Sequence, residues 1–211
     1  MSKPFLYDFA GSTYARTVRM LMTEKGVDHD SMQVNVLEGE PQQPEHLARH
    51  PFGKVPVLEH DGHRVLETTA ICNYVDAVFD GPSFVPNDPW DRARMDMTTS
   101  FVDSYGYKAM VWDVAIQHLF PEAVGGMDEQ KLEKGRNEAT KLLTYLMGMK
   151  GDSPWLAGNE RSVADFYLAP LCAYVAMTPE AEKLFDVKGF GGWWAAVQAL
   201  DSYRETAPDL G

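Results

Sequence analysis

Strand and helix patterns alternate along the first part of the chain. Pro4 to Phe9 is a short apolar and aromatic run, and Ala10 to Tyr14 is a small, polar break. Ala15 to Lys25 then places Val18, Leu21 and Met22 at helical spacing, with Gly26 as the stop. Met32, Val34 and Val36 alternate with polar residues, which predicts a half-buried strand. A loop from Glu40 to Pro44 follows, with one turn of helix expected before Pro51. Pro56 to His60 and His63 to Leu66 flank an Asp61-Gly62 pair. That dipeptide suits a two-residue turn whose central residues both need positive φ, so the spacing predicts an antiparallel hairpin. Glu67 to Val78 carries Ala70, Ile71, Tyr74, Val75 and Val78 at helical intervals. The predicted order is βαβ followed by ββα.

Between Asp80 and Pro89 the pattern dissolves into Gly81, Pro82, Pro86 and Pro89, which marks a linker. Beyond it no alternation of period two is found. Met97, Phe101, Tyr105, Trp112 and Ile116 mark one helix and Leu132, Leu142, Leu143 and Leu146 another, with further helices over Val163 to Ala176 and around Trp193, Val197 and Leu200. The organisation expected is therefore a mixed domain over 1–80, a linker over 81–88 and an all-helical domain over 89–211. Ser162 and Asp165 have capping-box spacing, which fixes a helix start and implies no chemistry. The stripe Met97, Phe101, Tyr105, Tyr107, Met110 and Trp112 is expected to be mostly core, and Gly106 is expected to allow a close approach of backbone or ligand.

The net charge of −12 disfavours phosphate backbones and anionic lipid as partners, so neither nucleic acid nor a membrane surface is expected. The longest apolar run, Phe166 to Met177, is interrupted by Pro170 and is too short to span a bilayer. No apolar signal core precedes Asp8, and Cys72 and Cys172 lie among apolar neighbours, which suits buried thiols in the cytosol. His46 and His50 share helical spacing and His60 and His63 flank the hairpin turn, but a metal site needs three or four converging ligands. Solvated surface histidines and no metal are expected.

His50-Pro51-Phe52-Gly53-Lys54-Val55-Pro56-Val57-Leu58, followed by Leu66-Glu67-Thr68-Thr69-Ala70-Ile71, resembles the glutathione-binding segment of cytosolic glutathione S-transferases. The wording is closest to phi-type and related bacterial members, and Ser12, Arg19 and the Ser162–Asp165 box extend the likeness over the chain. The resemblance implies an α/β thioredoxin-like N-terminal domain followed by an all-α C-terminal domain, with glutathione as co-substrate. It implies that Val55, before a cis Pro56, pairs through its backbone with the cysteinyl unit of glutathione. Thr68 and Glu67 would hold the γ-glutamyl carboxylate and ammonium groups at a helix N-terminus, which favours an anion. Ser12 would donate a hydrogen bond to the glutathione sulfur and keep it a thiolate, with Tyr7, Tyr14 and Thr13 as rivals. The family's His-Lys pair is replaced by Pro41-Gln42, so Lys54 and Gln42 are the candidates for the glycyl end.

By the same resemblance the electrophile pocket lies between the two domains, with Tyr105 and Tyr107 as candidate lining residues, and the protein is a homodimer in which Phe52 inserts into its partner. The activity implied is attack of glutathione thiolate on a small hydrophobic electrophile. The same resemblance is compatible with isomerase, dehalogenase or etherase outcomes, and with a non-catalytic binding module on the same fold.

Overall fold

In the computed structural model, which describes residues 2–208, the first apolar run forms strand β1 (Phe5–Asp8) and leads into helix α1 (Thr13–Lys25). Gly26 ends α1 in the left-handed conformation, φ +69°, as its lack of Cβ allows. Strand β2 (Asp30–Gln33) runs parallel to β1. A 3₁₀ turn at Glu40–Gln42 and the single-turn helix α2 (Pro44–Leu47) precede β3 (Val57–His60) and β4 (His63–Leu66). Asp61 and Gly62 both have positive φ, +47° and +78°, and the predicted hairpin forms. Helix α3 (Thr68–Val78) completes a βαβ–ββα unit around a mixed sheet of order β2-β1-β3-β4. This is the thioredoxin-like arrangement.

One strand differs from its expectation. β2 begins at Asp30, not at Met32, and all four of its residues are exposed; only Val34, past its end, is buried. As an edge strand it pairs on one side only, so its alternation carries little of the core. Leu6, Val18, Leu21, Met22, Leu58, Ile71 and Val75 form that core instead, each worth about 1.5–3 kcal/mol on burial.

The expected linker starts later than its composition suggests. Lys25 at the end of α1 donates to Asp76 at 3.3 Å and to the Pro82 carbonyl at 2.9 Å, while Asp76 accepts from the Phe84 N–H and the Ser83 hydroxyl, each at 2.8 Å. The first unit therefore runs to Phe84.

The second unit, residues 85–199, is helical. It comprises α4 (Pro89–Phe101), a stretch with π-type bonding (Val102–Ala115), α5 (Ile116–Leu119), α6 (Glu129–Lys150), α7 (Val163–Ala176), α8 (Ala181–Leu184) and α9 (Phe190–Gln198). In the π-type stretch the Ile116 N–H reaches the Val111 carbonyl, five residues back. This wider turn breaks the three-and-four spacing on which the aromatic stripe was read. Tyr105 and Trp112 are 57% and 46% exposed, while Met95, Val102, Ala109, Met110, Val111, Val114 and Ala115 are buried. Gly106 does allow a close approach, but its occupant is core: an added Cβ would lie 2.8 Å from Leu142 Cδ2.

Two polar knots hold the helical unit. At the start of α7 the predicted capping box forms, and Asp165, fully buried, also accepts from the Leu156 N–H at 3.0 Å and the Trp193 indole N–H at 2.9 Å. Burial pushes its carboxyl above the ordinary value, against the opposing effect of these donors. At the other knot Arg136 of α6 makes a bidentate pair with Glu180, 2.6 Å at each oxygen, and His118 lies 3.0 Å from the same carboxylate. The Arg136 hydrogen bonds hold the Glu180 carboxyl below its usual value. A depressed carboxyl contributes stability above its unfolded pKa, lost as pH falls through the lowered folded value. Arg136→Met is therefore expected to cost about 2 kcal/mol in denaturant unfolding at pH 7, with the difference from the parent shrinking below about pH 4.

The chain then returns to the first unit. Helix α10 (Asp201–Glu205) belongs with residues 2–84, not with the helical unit in which the composition had placed it. Among the described residues no helix is long and apolar enough to cross a membrane.

Candidate functional site

The sheet register brings three chain segments to one end of the first unit. Tyr7 of β1 pairs with Val57 of β3, and Val57 pairs with Leu66 of β4. The residues that leave β1, those that enter β3 and those that leave β4 consequently meet at the same sheet end. These are the turn carrying Ser12, the Val55-Pro56 pair and Glu67-Thr68. Ligands in α/β folds characteristically occupy the carboxyl ends of strands.

Ser12 closes a tight turn, its N–H bonding the Phe9 carbonyl at 2.9 Å, and it is the N-cap of α1. Its Oγ accepts from the Ala15 N–H at 3.2 Å, an arrangement that leaves the hydroxyl proton able to donate elsewhere. The first turn of α1 contains no acidic residue, so nothing in it offsets the positive end of the helix dipole. Among the rivals, Tyr7 donates to Glu59 at 3.1 Å and its ring lies under the Arg49 guanidinium, 4.4 Å away. It alternates with Leu6 and Asp8 along β1, and Asp8 is held by Arg19 of α1 at 2.6 Å. Tyr7 thus points away from the helix that Ser12 begins. The Thr13 hydroxyl is buried, and Tyr14 is half-buried.

The Val55–Pro56 peptide is cis, as the resemblance implied. Val55 is half-buried and precedes β3, and among the described residues none bonds its N–H or its C=O. Lys54 beside it is exposed, with its carbonyl taken by His46 Nε2 at 2.8 Å. Gln42 reaches this loop from the preceding turn: a Cβ on Gly53, φ +58°, would fall 2.5 Å from Gln42 Nε2 and from the Pro41 carbonyl oxygen. The glycine lets the two turns pack without a clash.

Glu67 has φ +68°, a conformation that a non-glycine residue adopts only where its surroundings impose it. It is the N-cap of α3 with no side-chain cap bond. The carboxylate stays mostly exposed with Oε1 3.7 Å from His50 Nε2. Thr68 is buried at the first position of α3, and no described residue bonds its hydroxyl.

The histidines differ from the expectation of solvated surface residues. His46, His50 and His60 are buried, and only His63 is exposed. Each buried ring meets polar partners: His46 the Lys54 carbonyl, His50 the Phe52 N–H at 3.2 Å, and His60 the Tyr74 hydroxyl at 2.9 Å and the Ser2 carbonyl at 3.0 Å. Such bonds make burial tolerable. Burial pushes the His50 imidazolium down from its ordinary value, while Glu67 opposes that shift. His50 and the Asp8–Arg19 pair were not singled out from the sequence as part of this end of the sheet, although His50 stands within the quoted motif. No group of three His, Cys, Asp or Glu side chains among the described residues could hold a metal ion.

Tyr105 and Tyr107 are in the helical unit. Tyr105 packs its ring near Phe101, centroids 6.1 Å apart, and burial pushes the Tyr107 phenol up.

Comparison with known proteins bears on the family and the fold. Residues 6–83 match the family model for the glutathione S-transferase N-terminal domain and residues 109–201 that for the C-terminal domain. Glutathione S-transferase F10 of Arabidopsis thaliana is 26% identical over 200 residues, 92% of this chain and 93% of that protein. Maleylacetoacetate isomerase of Pseudomonas aeruginosa is 29% identical over 169 residues, 78% of each. The crystal structure of glutathione transferase F7 from Populus trichocarpa has the same fold, with a TM-score of 0.87 over 97% of each chain at 24% identity. With both domain models matched in order along a chain whose fold is theirs, the protein belongs to the glutathione S-transferase family.

Proposed function

We propose that this protein binds glutathione at the sheet end carrying Ser12, Val55 and Glu67-Thr68, and joins it through its sulfur to a small hydrophobic electrophile. The observation that carries this reading is the convergence of a backbone N–H and C=O at Val55 that no described residue bonds with a hydroxyl at an acid-free helix start. A backbone pair of this kind recognises another peptide by adding to it as a strand would, which suits a tripeptide and few other small metabolites. Val55 takes the cysteinyl unit, the α3 N-terminus with Thr68 takes the γ-glutamyl carboxylate, and Glu67 takes its ammonium group. Lys54 and Gln42 serve the glycyl carboxylate.

Ser12 then donates its proton-bearing side to the sulfur, and the α1 N-terminus adds positive potential, so the thiolate persists near neutral pH without a general base. The sulfur lone pair forms the new carbon–sulfur bond while the electrophile's leaving group departs with its electron pair or its π electrons move to an acceptor atom. Most of the acceleration comes from stabilising that anion and from proximity. Tyr105 and Tyr107 are the candidates for contact with the electrophile. The buried free thiols Cys72 and Cys172 suit a cytosolic setting. Phe52, 73% exposed, supports assembly as a homodimer, for which solution mass should read twice 23.6 kDa.

Retention on immobilised glutathione and turnover of an aryl halide with glutathione test the reading together. Thr68→Val keeps the shape and removes the hydroxyl, so it should raise the KM for glutathione about tenfold or more with kcat little changed. A protein that is neither retained nor active, or a Thr68→Val variant that binds glutathione as the parent does, contradicts it.

A further inference from the structure

Arg16 stands one turn into α1 from Ser12, and its backbone N–H bonds the Ser12 carbonyl at 2.9 Å. Its side chain is buried. Nη2 donates to the Tyr203 carbonyl at 2.8 Å, Nε reaches Thr206 Oγ1 at 3.4 Å, and the guanidinium lies over the Tyr203 ring, 4.6 Å from its centroid. One turn further on, Arg19 joins the same elements: Nη1 donates to Asp8 at 2.6 Å, and Nη2 to the Ala10 carbonyl at 3.1 Å and the Thr206 carbonyl at 3.5 Å. The two arginines thus fasten the end of β1, the turn before Ser12 and the first half of α1 to the end of α10.

Burying a guanidinium is costly, and an apolar side chain of similar volume would pack there with less penalty. What arginine adds is direction, through a planar fork of donors that fixes the groups around it. The Ser12 hydroxyl is held within its own turn by one long contact, 3.2 Å to the Ala15 N–H, so its aim depends on how firmly the first turn of α1 is anchored.

We infer that Arg16 is a positioning residue for Ser12, and that helix α10, though some 190 residues away in sequence, is the anchor through which it acts. This rests on the assignment of Ser12 as the thiolate stabiliser. Displacements well under an ångström at such a contact are enough to cost an order of magnitude in rate.

The test is a cycle of substitutions in the full chain, assayed with glutathione and an aryl halide. Arg16→Met should lower kcat/KM about tenfold and move the acid limb of its pH profile up by about one unit, since tenfold corresponds to one pKa unit. The KM for glutathione should hold. In a Ser12→Ala background the same substitution should change kcat/KM less than about twofold, because groups acting as one unit are not additive. Tyr203→Leu removes the aromatic ring beneath the guanidinium and keeps the backbone carbonyl that Arg16 bonds; it should show the same pattern at about threefold, and it carries the test should Arg16→Met fail to fold. Arg16→Lys keeps the charge without the fork and should not restore the rate.

Equal losses in both backgrounds, no loss at Arg16 or Tyr203 in folded protein, or full restoration by lysine each overturn the inference while leaving the role of Ser12 intact. A Ser12→Ala protein as active as its parent removes the functional reading itself, and this inference with it.

Discussion

Ser12→Ala is expected to lower kcat/KM by about 10- to 100-fold while leaving the KM for glutathione within about threefold, because one charge-assisted hydrogen bond contributes about 1.5–3 kcal/mol. A free thiol titrates near about 8.5, and holding it mostly ionised at pH 7 asks for about 2 units, or about 2.7 kcal/mol. The hydroxyl contact supplies most of that, and the end of α1 adds about 0.3–1 kcal/mol. Removing the hydroxyl therefore also shifts the acid limb of the pH profile upward by about one to two units, whereas a general-base mechanism would lose rate at every pH. Tyr7→Phe should change neither quantity, since its hydroxyl is bonded to Glu59. Steady-state rates across pH 5 to 9 for the three proteins check both statements.

The largest effect on stability is expected at Asp165. Its two oxygens accept from the Ser162 N–H, the Leu156 N–H and the Trp193 indole in a fully buried setting. Asp165→Ala leaves those donors without a partner and opens a void, at about 1–3 kcal/mol for each unsatisfied group. A loss of about 3–5 kcal/mol in denaturant unfolding follows, which approaches the whole stability of many domains. Ser162→Ala, which removes only the hydroxyl of the capping box, should cost about 1 kcal/mol. The raised carboxyl of Asp165 sets the pH sign: the penalty of burying its charge is absent below its unfolded pKa and grows as pH rises through the folded value. The difference between the parent and an Asp165→Asn protein should accordingly narrow as pH rises.

Local chemistry was the most legible part of the sequence. Asp61-Gly62, Gly26 and the Ser162–Asp165 pair each satisfy a backbone requirement within a few residues, and each does in the fold what its spacing predicts. The short motifs at 12, 55 and 67–68, separate in the sequence, are brought to one end of the sheet by the register of three strands. What stayed hidden was non-local. The strand assigned from Met32, Val34 and Val36 turned out to be an exposed edge, a property set by its place in the sheet. The aromatic stripe departs from a core face because the backbone there adopts wider turns than helical spacing implies. The buried histidines take partners, such as the Lys54 and Ser2 carbonyls, that are backbone groups no side-chain pattern announces. The destination of α10 depends on Arg16 meeting Tyr203 and Thr206, contacts that periodicity cannot reveal.

The most direct measurement is a crystal structure of the protein with glutathione bound. The expected result is a cysteinyl unit paired with the Val55 N–H and C=O in antiparallel fashion and its sulfur within about 3.5 Å of Ser12 Oγ. A sulfur directed at Tyr7 or Tyr14, or a tripeptide bound elsewhere with Val55 untouched, would contradict it.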